Sequence, residues 1–216
     1  MAVDPRFDLP LYTVHEAARH LDIAPSTLRY WINEKGIVQA LRAESRGDAT
    51  LPFIALAEIQ FIHGLRQARL SLRAVTEGVY ALRKALGRDY LRQDRLAHDG
   101  QDILVRLADE DVEWTRARDT QSGIPGVMAF GLKFITFDAK GLPERVTLRR
   151  YEGADVIVDP RFAFGQPVVE GRGVRVEDIA QLFFAGEPIR VVSEEFGVSH
   201  EVVEAIVRNY GRPRAA

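Results

Sequence analysis

The chain contains no cysteine, which excludes disulfide bonds, thiolate catalysis and cysteine-ligated zinc. Its 216 residues include no run of about eighteen apolar residues, so we expect no membrane-spanning segment. The amino-terminal residues MAVDPRFDLP lack a basic region followed by an apolar stretch, which argues against a secretory signal. These absences favour a cytoplasmic protein.

Patterns typical of enzymes are also missing. The sequence has no Walker loop, no dinucleotide-binding glycine pattern and no serine nucleophile elbow. Residues 109–113 hold four carboxylates without the glycine spacing of a calcium loop, which favours a solvated surface over a metal site. The histidines show no metal-ligand spacing and are His15, His20, His63, His98 and His200. We therefore expect no enzyme activity, no catalytic residue, no metal and no cofactor.

The composition is that of a globular protein, with 46% hydrophobic and 28% charged residues, and the length allows one large or two smaller domains. The formal net charge of −2 is unevenly distributed: residues 1–90 carry +2, residues 91–150 carry none, and residues 151–216 carry −4. Such a gradient suits a protein that offers one end to nucleic acid and the other to a basic partner. A swing of this size is equally compatible with chance.

Residues 12–36 are the most informative part of the chain, because they have the pattern of a helix-turn-helix. Thr13 and Glu16 form a capping box, which starts a first helix by satisfying free backbone N–H groups. Pro25 suits the first position of a second helix, because the N–H at that position has no partner within the helix and proline lacks one.

The second helix has two chemically different faces. Leu28, Trp31 and Ile32 are spaced to point toward the first helix. The opposite face carries hydroxyl, amide and guanidinium groups, which suit phosphates and base edges; these belong to Ser26, Arg29, Tyr30 and Asn33. The alternative is an ordinary helical hairpin whose outer face is merely solvated.

A wing and two further helices are predicted after the helix-turn-helix. Residues 37–43 and 50–53 are expected to pair as a short β-ribbon, with Arg42 on the ribbon and Arg46 at its tip. An apolar-periodic helix follows over residues 54–70. The next helix covers residues 72–86 and is capped by Ser71 and ended by Gly87.

The order helix, turn, helix, wing, helix, helix resembles the DNA-binding domain of the MerR family over residues 11–86. Residues 26–31 match the threonine-leucine-arginine-tyrosine-tyrosine stretch of that family, residues 34–38 match its lysine-glycine-leucine helix exit, and residues 64–75 match its later leucine-arginine…glycine-phenylalanine-serine-leucine segment. The resemblance implies that Arg29 and Tyr30 touch DNA and that the wing from Arg42 to Arg46 grips flanking phosphates.

The chain departs from the MerR pattern in three places. Trp31 stands where tyrosine is usual, and Leu51-Pro52-Phe53 replaces an arginine-tyrosine pair before the third helix. No long heptad helix follows Gly87, although MerR regulators dimerise through such a helix.

The middle of the chain is predicted to begin with weakly structured segments. Residues 88–100 have no clear periodicity and indicate a connector, and residues 102–107 indicate a short strand. Residues 109–118 indicate a short polar helix or an exposed loop, and residues 123–126 are expected to break the chain.

A small antiparallel sheet is predicted next. Residues 132–137 and 144–151 alternate in polarity and indicate a hairpin across a turn at residues 138–141. Residues 156–159 are expected to add an edge strand.

Three helices are predicted at the carboxyl end, over residues 176–185, 188–196 and 199–209. This region resembles the DUF 433 family in Asp159-Pro160, Gly165-Gln166-Pro167, Val176-Glu177-Asp178-Ile179 and Ala185-Gly186, and departs from it at Arg172-Gly173-Val174. The last two helices also look like a helix-turn-helix, but Glu201 and Glu204 on the second of them would repel phosphates. We expect a protein-contact unit that binds a partner, self-associates, or does both.

Together these patterns predict a mainly helical α+β protein with three parts. A winged helix-turn-helix is expected in residues 1–87, a connector with a small central antiparallel sheet in residues 88–155, and a three-helix, homeodomain-like unit in residues 156–216.

A MerR-like winged helix joined to this carboxyl-terminal family resembles the VapB-type antitoxins of type II toxin–antitoxin systems. The resemblance implies a partner toxin that is a PIN-type ribonuclease neutralised by direct contact, and repression of the antitoxin's own operon. We expect a homodimer on a palindromic operator, with Ser26, Thr27, Arg29 and Tyr30 in the groove. The rival hypotheses are a ligand-responsive MerR-type regulator with residues 91–216 as its effector domain, and a scaffold with no nucleic-acid role.

Overall fold

A computed structural model describes residues 4–45 and 47–211 of the protein. The amino-terminal half is built from helices. They are α1 (Pro5–Asp8), α2 (Val14–His20), α3 (Pro25–Arg29), α4 (Phe53–Gln67) and α5 (Leu72–Leu86). A π-helical turn, Tyr30–Glu34, directly continues α3. The predicted helices of this half are confirmed, including the cap that Ser71 provides and the end at Gly87.

The middle of the chain is helical, where we predicted a connector, a strand and a break. The elements are α6 (Gln93–Arg95), a π-helical turn (Leu96–Gly100), α7 (Gln101–Leu107), α8 (Val112–Arg118) and α9 (Gly123–Leu132). The predicted strand at residues 102–107 is therefore wrong, and the glycine-proline segment at 123–126 opens a helix instead of breaking the chain. A short apolar run does not distinguish a strand from a buried helical turn.

These middle helices close over α5 at a glycine. A side chain at Gly78 would bring its Cβ within 2.7 Å of the Trp114 ring and 3.4 Å of Leu104. Trp114 is fully buried, and its indole N–H donates to the carbonyl of Ala74 at 3.0 Å. Because Gly78 has no side chain, α7 and α8 can pack closely against α5 and share its core.

Four short strands form one antiparallel sheet in the order β1-β2-β3-β4. They are β1 (Ile135–Phe137), β2 (Pro143–Thr147), β3 (Val156–Val158) and β4 (Val168–Val169). The predicted hairpin is confirmed, although β2 ends at Thr147 and a 3-10 turn follows over Arg149–Tyr151. The third strand lies inside the sheet between β2 and β4, so its predicted edge position is wrong. Its three residues are all buried, as an inner strand requires.

The three predicted carboxyl-terminal helices are confirmed as α10 (Val176–Phe184), α11 (Ile189–Phe196) and α12 (His200–Tyr210). Ser199 caps α12, and α10 packs against both of the others. In the amino-terminal half the core is centred on α4, which is buried along almost its whole length. Within the described ranges, no helix is long and apolar enough to cross a bilayer.

Candidate nucleic-acid interface

The helix-turn-helix begins with the capping box that its sequence predicts. The Thr13 hydroxyl accepts from the backbone N–H of Glu16 at 3.2 Å, and the Glu16 carboxylate accepts from the backbone N–H of Thr13 at 2.8 Å. Two otherwise unpaired donors are satisfied in this way, which fixes the first turn of α2. Ala17 and Ala18 on this helix are buried, and their small size lets α3 pack closely on α2.

The second helix separates its two faces as predicted. Leu28 is fully buried, Trp31 is 4% exposed, and Ile32 is half-buried. The candidate DNA-binding residues of the opposite face are all exposed; they are Ser26, Thr27, Arg29, Tyr30 and Asn33. Their solvent-facing position is an observation, and their contact with DNA stays a prediction.

A cation that we did not predict as a site residue lies beside this face. The Lys35 ammonium is 5.4 Å from the centre of the Tyr30 ring, within the range of a cation–π interaction. Lys35 follows Tyr30 by five positions in the sequence and would add a second positive charge to this side of the helix, besides that of Arg29. The available sequence signal is the lysine of the lysine-glycine helix exit at residues 35–36.

The candidate recognition helix consists of α3 and the π-helical turn Tyr30–Glu34, and hydrogen bonds to backbone carbonyls fix its end. The N–H of Lys35 donates to the carbonyl of Tyr30 at 3.0 Å, which closes the π-helical turn, and Gly36 then takes a φ of +57° that favours glycine. The Tyr80 hydroxyl donates to the Lys35 carbonyl, and the Arg83 guanidinium donates to the Gly36 carbonyl at 2.8 Å. Helix α5 therefore holds the exit of the recognition helix in place.

A buried ion pair supports the same exit. Glu58 in α4 is fully buried and lies 3.0 Å from the Arg83 guanidinium. It also accepts from the backbone N–H of Gln39 at 2.6 Å and from the Gln39 side-chain amide at 2.8 Å. Burial raises the pKa of Glu58, while Arg83 and the Gln39 donors favour the charged carboxylate. Sequence reasoning missed this pair, although an acid inside the apolar run 53–62 is a signal that could have found it.

The predicted β-ribbon of the wing is wrong. Within the described ranges, residues 37–43 and 50–53 form no paired strands, and a single backbone hydrogen bond joins them, from the Leu41 N–H to the Thr50 carbonyl at 2.7 Å. Residues 50–51 pair instead with Tyr12, at the entry to α2. Tyr12 thus occupies the backbone groups of residues 50–51 that the predicted ribbon would use. Pro52 has no N–H and cannot donate a further backbone hydrogen bond to a paired strand. Arg42 is exposed, and Arg46 lies outside the described residues.

The helix-turn-helix is tied directly to the carboxyl-terminal half. The buried Tyr12 hydroxyl donates to the Gly165 carbonyl at 2.8 Å. The Arg150 guanidinium donates to the Arg19 carbonyl at the end of α2 at 3.1 Å and to the Asn209 carbonyl at the end of α12 at 2.9 and 3.0 Å. A cation at the carboxyl end of two helices also interacts favourably with both helix dipoles.

A cavity of about 520 Å³ lies between the end of α2, α4 and the turn after β2. It is the feature that a ligand-responsive regulator would need. Its two arginines already bind protein acceptors, however: Arg150 binds the two helix ends, and Arg149 donates to the Gln67 side chain at 3.1 Å. His20 also lines the cavity, and burial lowers its pKa to about 4, so it is neutral near pH 7.

The acidic run at residues 109–113 is the expected solvated surface only in part: Asp109 and Glu110 are exposed, whereas Asp111 and Glu113 bind other parts of the protein. Asp111 is 5% exposed, caps α8 through the N–H groups of Glu113 and Trp114, and lies 2.6 Å from the Arg73 guanidinium. Glu113 accepts from the backbone N–H of Ser71 at 2.6 Å. These carboxylates therefore hold helix ends together. In the part of the chain that the structure describes, no three His, Cys, Asp or Glu residues are grouped as a metal site.

Comparison with known families places both ends of the chain. Residues 12–81 match the MerR HTH family of regulatory proteins, and residues 156–210 match DUF433, a family of unknown function. The chain is 30% identical to "Putative antitoxin VapB45" of Mycobacterium tuberculosis over 217 residues, which cover 90% of this chain and 91% of the relative. The crystal structure of Rv2018 from Mycobacterium tuberculosis superposes with a TM-score of 0.82 at 30% identity and covers 94% of this chain and 99% of that one. The chain therefore belongs to the VapB45 antitoxin family, with a MerR helix-turn-helix at its amino end and a DUF433 domain at its carboxyl end.

Proposed function

We propose that the protein is the antitoxin of a type II toxin–antitoxin system. It neutralises a PIN-type ribonuclease toxin by direct contact, and it represses its own operon by binding operator DNA. The observation that carries the proposal is the exposed polar face of α3, which the rest of the amino-terminal half supports from behind. The protein acts by binding, without catalysis and without a cofactor.

The DNA-binding half of the proposal rests on the geometry of α3 and the π-helical turn that continues it. Leu28 and Trp31 anchor the helix, so the face with Arg29 and Tyr30 points to solvent at a fixed angle. Arginine can donate two hydrogen bonds to guanine or to a phosphate, and exposed hydroxyls and amides position a helix on the sugar-phosphate backbone. Arg42 and Arg46, which follow the helix in the sequence, are proposed to bind flanking phosphates.

The toxin-binding half rests on family membership and charge. The relative from Mycobacterium tuberculosis is named as an antitoxin. Residues 151–216 of the present chain carry a net charge of −4. A ribonuclease concentrates cations where it binds RNA, and an acidic surface is complementary to them. We propose that the carboxyl-terminal unit meets the toxin there and blocks its access to RNA.

A homodimer is proposed for the repressing species, because a palindromic operator offers two equal half-sites to a two-fold symmetric protein. Among residues 87–211 the longest helical stretch runs from Gln93 to Leu107, and it contains a π-helical turn at Leu96–Gly100. A long dimerising coil of the kind that MerR regulators use is therefore not found in this described part, and the dimer contact is proposed to come from the other helices.

The DNA half is tested by titrating labelled DNA from upstream of the gene with wild-type protein and two arginine variants. Arg29→Ala is expected to weaken DNA binding by about 5- to 150-fold, because a good contact to a base contributes about 1–3 kcal/mol. Arg190→Ala in α11 is the matched control, since it removes an exposed arginine far along the chain that pairs only with Glu194 in the described structure. If Arg29→Ala binds DNA as tightly as wild type, the proposal that this helix lies in the DNA major groove is wrong.

The toxin half is tested by co-expression with the adjacent gene. We expect the two products to co-purify and the ribonuclease activity of the neighbour to fall when the antitoxin is added. An antitoxin that elutes alone and leaves this activity unchanged would remove the antitoxin proposal while leaving the DNA result intact.

A further inference from the structure

The carboxyl-terminal unit has an open groove between α10 and α11, with a volume of about 560 Å³. Its floor is apolar and consists of Leu182, Val191 and Phe196, each only half-buried. Its rim is acidic and consists of Asp178, Glu187 and Glu195. An apolar strip bordered by charges of one sign is the surface that binds an amphipathic helix of the opposite charge.

The charges on the rim are largely unneutralised. Asp178 is paired with Arg175 at 2.5 Å. Glu187 and Glu195 are both exposed, and neither forms an ion pair with any residue that the structure describes. The neighbouring Arg190 instead binds Glu194 at 2.7 Å, on the same helix. Two carboxylates are therefore available beside the apolar floor.

The acidic rim narrows the choice of occupant. Nucleic acid would be repelled, because its phosphates carry the same sign as the rim. The same face of a second copy would also be repelled, since residues 151–216 of each copy carry −4. A protein segment with cations beside aliphatic side chains satisfies both the rim and the floor. Two helices with three apolar positions between them suit a third helix that contributes anchors about one turn apart.

We propose that this groove binds the ribonuclease toxin, and that its occupant is a lysine- or arginine-bearing amphipathic helix from the toxin's RNA-binding surface. The inference rests on the proposed function. Glu187 and Glu195 would then bind the cations that otherwise contact RNA phosphates, so the antitoxin and RNA compete for one surface of the toxin. Leu182, Val191 and Phe196 supply the apolar contact that RNA lacks, which favours the protein partner.

The test uses the purified product of the adjacent gene as the probe and charge reversal as the variable. Glu187→Lys with Glu195→Lys is expected to weaken toxin binding by at least about 100-fold, since attraction becomes repulsion at two positions. Glu201→Lys with Glu204→Lys on α12 is the control. It makes the same change of net charge on the same unit, at exposed positions outside the groove lining. This control is expected to bind within about threefold of wild type.

A second pair of measurements separates charge from shape. Glu187→Gln with Glu195→Gln keeps the side-chain size, and we expect about tenfold weaker binding and a smaller loss of affinity between 50 and 500 mM salt than for wild type. Circular dichroism of every variant verifies that the fold is intact. RNA added to the wild-type complex is expected to displace the antitoxin.

The outcomes distinguish the groove from the function on which it rests. If both lysine variants bind like wild type, or if both lose affinity equally, the groove is not the toxin site, although the antitoxin function stands. If wild-type protein neither binds the neighbouring product nor lowers its ribonuclease activity, the proposed function fails and the groove inference fails with it.

Discussion

At the scale of single residues, the amino-terminal half contains two buried ionisable groups, Glu58 in α4 and His20 at the end of α2. Glu58 is charge-paired with Arg83 and accepts from Gln39, so its burial is compensated. His20 has no such compensation: it is 2% exposed, its ring packs edge-on against Tyr12 at 5.8 Å, and its Nε2 has no hydrogen-bond partner in the described structure. Burial therefore disfavours the charged form of this imidazole.

The stability of the protein is expected to fall between about pH 6.5 and about pH 4 because of His20. Burial lowers the pKa of His20 from 6.5 to about 4, and the positive charge of Arg19 adds to the effect. In this pH window the imidazole of His20 is therefore protonated in the unfolded chain and neutral in the folded protein. The stabilisation is fully present above pH 6.5 and is lost as the pH falls toward the folded pKa. The expected size is about 3 kcal/mol, at about 1.4 kcal/mol per pKa unit.

Urea denaturation at a series of pH values checks this expectation. His20→Phe keeps an aromatic ring but cannot titrate, so the fall in unfolding free energy from pH 7.5 to pH 4.5 is expected to be smaller than in wild type. His15→Phe is the control, because His15 is exposed on the same helix. A His20→Phe protein whose stability falls as steeply as that of wild type would show that other groups govern the acid response.

At the scale of elements, α4 and α9 cross at two glycines. A Cβ at Gly64 would lie 2.5 Å from the Phe130 carbonyl oxygen and 2.6 Å from the Gly131 Cα, and both of these are backbone atoms. A Cβ at Gly131 would in turn lie 2.6 Å from the Phe61 ring. The two helices therefore touch backbone to backbone, which places Glu58 and the rest of α4 at a fixed depth in the core.

Gly64→Ala is expected to lower the free energy of unfolding by about 1–3 kcal/mol, because the helices have to move apart. This net figure already includes the gain of about 1 kcal/mol that alanine usually brings inside a helix. Thermal unfolding measures the sum. Gly211→Ala is the control, since a Cβ there meets nothing within 4 Å. An alanine at position 64 that leaves stability equal or higher would contradict the close crossing.

Elements with local signals were predictable from the sequence. Three helix ends are specified by the hydrogen-bonding or conformational preference of the residues at them, and all three lie where the sequence predicts. They are the Thr13–Glu16 capping box, the cap at Ser71 and the end at Gly87. The exposed face of α3 followed from residue spacing alone, because Leu28 and Trp31 fix which side is buried.

Elements decided by distant contacts were not predictable in the same way. Residues 102–107 form a helix because Leu104 and Trp114 pack on Gly78, which lies far away in the sequence. The ribbon of the wing fails because Tyr12 pairs with Leu51. The Glu58–Arg83 pair joins residues 25 positions apart, and no local pattern announces such a partner. Propensity gives way in these places to tertiary packing.

At the scale of the whole molecule, the proposed DNA-binding and toxin-binding surfaces are mechanically connected. The groove lies on α10 and α11, and α10 packs against α12. The last turn of α12 binds Arg150 through the Asn209 carbonyl, and Arg150 also binds the last turn of α2 through the Arg19 carbonyl. A single guanidinium thus joins the end of α12 to the end of α2, the first helix of the helix-turn-helix. Binding of a partner in the groove can change the DNA affinity of α3 through such contacts.

Arg150→Met is expected to loosen both helix ends and to uncouple the two surfaces. Loss of hydrogen bonds from a charged donor to the two carbonyls costs about 1.5–3 kcal/mol, so amide exchange in the last turns of α2 and α12 is expected to rise by about 10- to 150-fold. Arg149→Met is the control, because its guanidinium binds the Gln67 side chain at the end of α4. Hydrogen-exchange mass spectrometry of wild type and both variants measures this effect locally. If exchange in α2 and α12 is the same in Arg150→Met and Arg149→Met, Arg150 does not connect the domains.

The functional consequence is measured as a thermodynamic cycle. DNA affinity is determined with and without the neighbouring gene product, and the ratio of the two values is the coupling between the sites. We expect a ratio that differs from one by at least about fivefold in wild type and in Arg149→Met, in the range typical of coupled sites, and a ratio close to one in Arg150→Met. Each ligand alone is expected to bind Arg150→Met nearly as it binds wild type, since Arg150 lies in neither α3 nor the groove lining. A full-sized ratio in Arg150→Met would mean that the two surfaces communicate by another route, for which the buried contact from Tyr12 to Gly165 is the next to be broken.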